Sequence, residues 1–309
     1  MKEFLMARTK RFLIILFVVI GIFVLLWPHG VVIYRTSYII SHIVPAVPEW
    51  FEWGSYEVEV REIEPFDMYL PRGKDETSFV IFFPGFNPDG ARDPRMVNLA
   101  QAFAGAGIGV AVPDSENIKQ QKFSREDIDL IKDVFYFLRE QPYVNSDHIG
   151  LSGFSIAGSY VLRAAAELGT EPLFVHSLGA YYDLAELFDE IKMGKAIYRD
   201  SERSWEPSSL SKEVSQNKVN AQITKEETDN LSPAPVIKNI KTRVYLMHDK
   251  NDDRIPVEES RKIRDAMPEN ISVSYSEFSL FQHVTPRNFL SFDILKLAGQ
   301  MFGIMKLLL

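Results

Sequence analysis

The order of apolar segments predicts an α/β chain, a mostly parallel sheet with helices on both faces, preceded by one N-terminal transmembrane helix. Three observations carry this. Short, continuous apolar runs recur along the chain; segments of 10–15 residues with helical spacing alternate with them; and a long uncharged stretch follows a basic N-terminal flank.

The N-terminal stretch comes first. Residues 12–27 read FLIILFVVIGIFVLLW, and no charged residue occurs between Arg11 and Arg35. Residues 12–34, if helical, extend about 34 Å and match a hydrocarbon core of roughly 30 Å. The first eleven residues carry Lys2, Arg8, Lys10 and Arg11 against Glu3. The positive-inside rule keeps such a flank in the cytoplasm. The expectation is therefore a signal anchor within 1–35, a membrane partner contacted through residues 12–34, a juxtamembrane connector over 36–54, and a domain over 55–309 on the extracytoplasmic side. No Ala-x-Ala cleavage site follows the apolar run, which argues against a removed leader.

Within 55–309 the pattern is read in order. Residues 56–61 (YEVEVR) alternate, and 65–70 form a second short strand, together an antiparallel hairpin at the leading edge. The run 78–83 (SFVIFF) is a buried strand, 94–104 a helix and 108–112 the next strand. Residues 125–139 form an amphipathic helix behind Ser124 as N-cap. A strand over 148–153, a helix over 156–168 and a strand over 173–177 follow. Residues 183–236 are polar and too long for an ordinary connection, so they read as a lid-like insertion. The strand 242–247, helix 257–267, strand 271–278 and helix 287–309 complete the chain.

Three places offer chemistry. Gly153-Phe154-Ser155-Ile156-Ala157 lies between an apolar strand and a helix. Small residues two positions either side of Ser155 permit a tight turn that lifts its hydroxyl above the sheet edge. A plain Gly/Ser turn has the same composition, so the motif alone leaves both readings open. The loop after strand 242–247 holds Asp249, Asp252 and Asp253 ahead of Ile255-Pro256. His283 follows the next strand. Serine, acid and histidine thus each fall at the C-terminal end of a strand, where open parallel sheets form their functional crevice.

These residues resemble the α/β-hydrolase superfamily, over about Ser55 to Gln300. The serine turn is similar to that of the dienelactone-hydrolase-like and prolyl-oligopeptidase-like branches. The Asp252-Asp253-Arg254-Ile255-Pro256 run resembles the family's acid loop and selects Asp252; His283 matches the histidine loop. The resemblance implies a Ser155–His283–Asp252 triad and an oxyanion hole from the backbone N–H groups of Phe86 and Ile156. Pro84-Gly85-Phe86 stands where many members have His-Gly-x, and a backbone donor survives that change. The implied function is a serine hydrolase of carboxyl esters, working on a small-molecule or lipid-like acyl substrate. A peptidase, lipase or acyltransferase of the same fold, and a non-catalytic binding protein, are the alternatives.

Composition excludes other classes. No cysteine is present, so thiolate chemistry and Cys-ligated metals are out. The net charge of −8 disfavours a nucleic-acid partner. Gly105-Ala106-Gly107 follows a helix rather than a strand, which is the wrong order for a phosphate cradle. His148, His176 and His248 show no metal-ligand spacing. Neither cofactor nor metal is expected.

Overall fold

A computed structural model describes residues 29–45, 55–220, 223–287 and 291–309. A helix over 29–43 (α1) opens it. Then come β1 (Val58–Ile63), β2 (Phe66–Pro71), β3 (Thr77–Phe83), α2 (Pro94–Gly105), β4 (Gly109–Pro113), α3 (Glu116–Lys119), α4 (Arg125–Arg139), β5 (Val144–Phe154), α5 (Ile156–Leu168) and β6 (Phe174–Leu178). The insertion supplies α6 (Leu184–Met193), β7 (Lys195–Tyr198), β8 (Ser201–Ser204), α7 (Ser209–Asn220) and α8 (Lys225–Leu231). The chain ends with β9 (Arg243–Asp249), α9 (Val257–Ala266), β10 (Val273–Phe278), the short pair β11 (Phe281–Gln282) and β12 (Thr285–Pro286), and α10 (Ile294–Leu308).

One eight-stranded sheet organises the domain, in the order β1-β2-β4-β3-β5-β6-β9-β10. The pairs β1–β2 and β2–β4 are antiparallel; every pairing from β4 to β10 is parallel. The parallel strands read as unbroken apolar runs because both faces are covered. Alternate residues of β3 show the two cores. Phe79, Ile81 and Phe83 join the face under α4, α5 and α9, while Val80 and Phe82 join the face under α1, α2 and α10.

Local sequence explains the helices. Asp93 caps α2 by accepting from Arg95 N, with Pro94 in the first turn. Ser124 caps α4, and Ile128, Ile131, Val134, Phe135 and Leu138 form its buried stripe. The last helix starts at Ile294 rather than at 287, because the chain first turns back. Arg287 N donates to Leu280 O, closing the β11–β12 hairpin around His283.

The membrane expectation is corrected. Among the described residues no helix is long and apolar enough to cross a membrane. A transmembrane helix ahead of the domain, a membrane partner through residues 12–34 and a single-pass topology with an extracytoplasmic domain are therefore not supported. Residues 29–34 of the expected span and 36–43 of the expected connector belong to one helix, α1, which packs on protein. Val32, Ile39, Ile40 and Val44 are buried in the same core as α2 and α10. Arg35 Nη1 donates to Gly105 O at 3.3 Å and Asn98 Nδ2 to His42 O at 2.5 Å. The apolar residues of this stretch bury themselves against the domain, which hydropathy alone does not distinguish from burial in lipid. Residues 1–28, the rest of the expected anchor, and 46–54 lie outside the described residues.

Ile39 is fully buried in this contact. Ile39→Ala is expected to cost about 2–5 kcal/mol in urea unfolding of the full chain. A loss under about 0.5 kcal/mol, the level of a surface change, would mean that α1 is not docked.

Candidate active site

The serine sits where β5 turns into α5. Ser155 has φ 59° and ψ −133°, a conformation rare outside glycine that persists only where its surroundings enforce it. Its N–H donates to Leu178 O at 2.8 Å and its C=O accepts from Gly158 N at 2.8 Å. The turn leaves no room at Gly153, where a Cβ would lie 2.1 Å from Ala157 O. Ser155 occupies the N-cap position of α5, yet its side chain makes no capping hydrogen bond, and the residue lines a cavity. The loop after β3 comes up against it. A Cβ on Gly85 would meet Ser155 Cβ at 2.7 Å, so glycine is required for this approach. Phe86 follows directly, and Ile156 opens α5, where backbone N–H groups have no partner within the helix.

The acid and the histidine are joined. Asp252 is buried in the loop after β9, and its Oδ1 accepts from Arg254 N and Ile255 N at 2.8 and 3.0 Å. Its Oδ2 lies 2.7 Å from His283 Nδ1 and 3.3 Å from His248 Nε2. Burial pushes the Asp252 carboxyl up, but the two imidazoles beside it, His283 first, outweigh this and hold it well below the usual carboxylate range. Asp249 is also buried, but it serves the backbone of Asn251 and Phe281 instead. Asp253 takes no part in the pair with His283.

Ser155 and His283 line one cavity of about 340 Å³, together with Gly85 and Phe86. They do not hydrogen-bond to each other. His283 Nε2 is buried without a partner, and His283 itself has φ 58°. The structure therefore brings together Asp252 with His283, and Ser155 with Gly85, Phe86 and Ile156. His283 of the first set and Ser155, Gly85 and Phe86 of the second line the same space.

Sequence reasoning missed the roles of three residues. His248, read as structural, braces Asp252 while bonding Ser260 Oγ at 2.6 Å and Ile255 O at 2.9 Å. Burial pushes its pKa down, but the bond to Asp252 and the carboxylate charge carry it upward overall. The available signal was its position four residues before Asp252. Trp205, from the insertion, donates Nε1–H to Asp252 O at 2.9 Å. Ser208 N donates to Asp253 O at 2.6 Å, so the insertion grips the acid loop from outside. His176 lines the cavity, paired with Ser152 Oγ at 2.7 Å; burial pulls its pKa down to about 4, so it is neutral at ordinary pH.

No family model matches the chain, and no curated protein matches it. Solved structures do. The chain is similar to 2,6-dihydroxy-pseudo-oxynicotine hydrolase at 19% identity and TM-score 0.56, over 81% of this chain and 68% of that one. It is similar to Pyrococcus horikoshii acylaminoacyl peptidase at 19% identity and TM-score 0.53, over 74% of this chain and 37% of the peptidase. It is also similar to the α/β hydrolase GrgF from Penicillium sp. sh18, at 15% identity and TM-score 0.55, over 81% and 97%. At such identities the likeness shows the fold, which is that of the α/β hydrolases.

The depressed Asp252 pKa carries a sign. A carboxylate whose pKa is lower in the folded state adds stability above its unfolded pKa of about 3.9, and loses it as pH falls through the folded value. The urea-unfolding penalty of Asp252→Asn should therefore be smaller at about pH 3 than at about pH 7, by on the order of 1 kcal/mol. An equal or larger penalty in acid would contradict the ionised, imidazole-paired Asp252.

Proposed function

We propose that the protein is a serine hydrolase that cleaves carboxyl esters through an acyl-enzyme on Ser155. The single observation that supports this most is the 2.7 Å pair of Asp252 and His283 opening into the cavity that Ser155 also lines. In this reading His283 Nε2 takes the Ser155 proton as Oγ attacks the carbonyl carbon. Asp252 holds Nδ1 in the donor tautomer and stabilises the imidazolium that forms. The N–H groups of Phe86 and Ile156 receive the developing oxyanion, each donor worth about 3–4 kcal/mol in related sites. The same imidazolium returns the proton to the leaving alcohol, and water then releases the acid.

A non-catalytic binding protein is the second reading, and the missing Ser155–His283 bond speaks for it. Against it, catalytic hydrogen bonds in empty sites are commonly long and tighten only with substrate. His283 Nε2 also has no competing partner to hold it away.

The test is direct. Purified full-length protein should hydrolyse p-nitrophenyl acetate and label with a fluorophosphonate at Ser155. Ser155→Ala should abolish labelling and lower kcat by a factor of about 10³ or more. Wild-type protein that neither labels nor turns over, or a Ser155→Ala variant that keeps most of the rate, would overturn the proposal.

A further inference from the structure

Two apolar spaces of unequal size meet at Ser155. The larger, about 340 Å³, runs between the sheet and the helices α1, α2 and α10. Its walls include Phe82, Leu99, Phe174, Met247, Met301 and Ile304. Phe174 lies four residues behind Leu178 on β6, so at ~3.3 Å per residue this space reaches about 13 Å back from the strand ends. The smaller, about 60 Å³, lies under the insertion against Phe123, Ile156, Leu187, Ile191, Leu210 and Val214. A water molecule's share of liquid is about 30 Å³, so this space suits a group of two or three heavy atoms.

Ser155 and Phe86 line both spaces, but His283 and Ile156 do not. His283 lines the large space and is absent from the small one; Ile156 lines the small space and is absent from the large one. A general acid must stand within hydrogen-bond reach of the atom it protonates. The oxygen that leaves with the alcohol is therefore on the His283 side, and the acyl group is on the other.

Resting on the reading of Ser155 as an ester-cleaving nucleophile, we propose that the substrate is a short acyl group, of about acetyl size, esterified to a large and chiefly apolar alcohol. The alcohol occupies the space beneath α1, α2 and α10, and the acyl group the space under the insertion. In the first step the Ser155 Oγ–carbonyl carbon bond forms, the carbon–alkoxy oxygen bond breaks, and the proton taken from Ser155 passes through His283 to the alkoxide. Water then adds to the acyl-enzyme and releases the short carboxylic acid and free Ser155.

The experiment is a two-way ester matrix on the full chain, with active sites counted by fluorophosphonate titration. One arm varies the acyl group on p-nitrophenol through acetate, butyrate and octanoate. The other varies the alcohol of an acetate from ethyl to octyl. Since a methylene in an apolar pocket changes kcat/KM by about tenfold or more, acetate should exceed octanoate, and octyl acetate should exceed ethyl acetate, each by at least about tenfold. Leu99→Trp, at a half-buried wall position, should lower the octyl-to-ethyl ratio by about tenfold, and Ile304→Trp should do the same deeper in. Val214→Ala should raise the butyrate-to-acetate ratio. A preference for long acyl groups with indifference to the alcohol would overturn the assignment while leaving the ester-hydrolase reading intact. Indifference to both arms would do the same. Absence of labelling and of all turnover would overturn both.

Discussion

The Asp252 carboxylate is the constraint on which the rest of the site depends. It is fully enclosed, and a buried charge is tolerable only if nearly every lone pair is met. Two backbone N–H groups meet Oδ1, and two imidazoles meet Oδ2. Those four partners come from the acid loop, the end of β9 and the β11–β12 hairpin. Ionising Asp252 therefore closes the C-terminal edge of the sheet around itself. The same carboxylate fixes which nitrogen of His283 carries the proton, and leaves Nε2 without a protein partner in a residue that lines the cavity. Structural cohesion and the poise of the imidazole are one requirement met by one group.

Among the described residues four non-glycines have positive φ; Gln121 and Arg199 lie in other turns, and the other two are the residues that would exchange the proton. Ser155 and His283 both have positive φ, at 59° and 58°. Neither can relax cheaply. Gly153 and Gly85 press the serine turn from two sides, and β11–β12 closes the chain immediately around the histidine. Arg95, bound to Asp93 in α2 and donating to Thr285 Oγ1 at 2.6 Å, ties that hairpin to the opposite wall. Strain of this kind costs of order 1–3 kcal/mol per residue and needs surroundings that over-determine it. Here the over-determination comes from contacts far apart in sequence.

That separation explains what was legible beforehand. The sheet was readable because β3, β4, β6 and β9 are continuous apolar runs, and periodicity is a local signal. Ser155, Asp252 and His283 could be nominated because each sits at a strand end in a distinctive local string. His248, Trp205 and the grip of the insertion on the acid loop were not, because their roles are hydrogen bonds to partners whose position only the fold decides. The start of α10 was misplaced for a related reason. Residues 287 onward have helical composition, but Arg287 N is spent on closing a hairpin.

The N-terminal region shows the limit of hydropathy most sharply. An apolar segment reports that it will leave water, and nothing about what it will meet instead. In α1 the answer is α2 and the sheet, and the contact has a consequence for chemistry. His42 and Ile43 at the end of α1, with Pro45 after it, line the large cavity beside Leu99 and Met96 of α2. Part of the stretch read as a connector, 36–54, thus forms a wall of the space into which the proposed nucleophile opens. An apolar helix end can cap an apolar cavity for the same reason that it can enter a bilayer, since both remove its surface from water. The substrate that fits such a cavity must satisfy that requirement too, which is why the enclosing helix and the bound group are expected to share their chemistry.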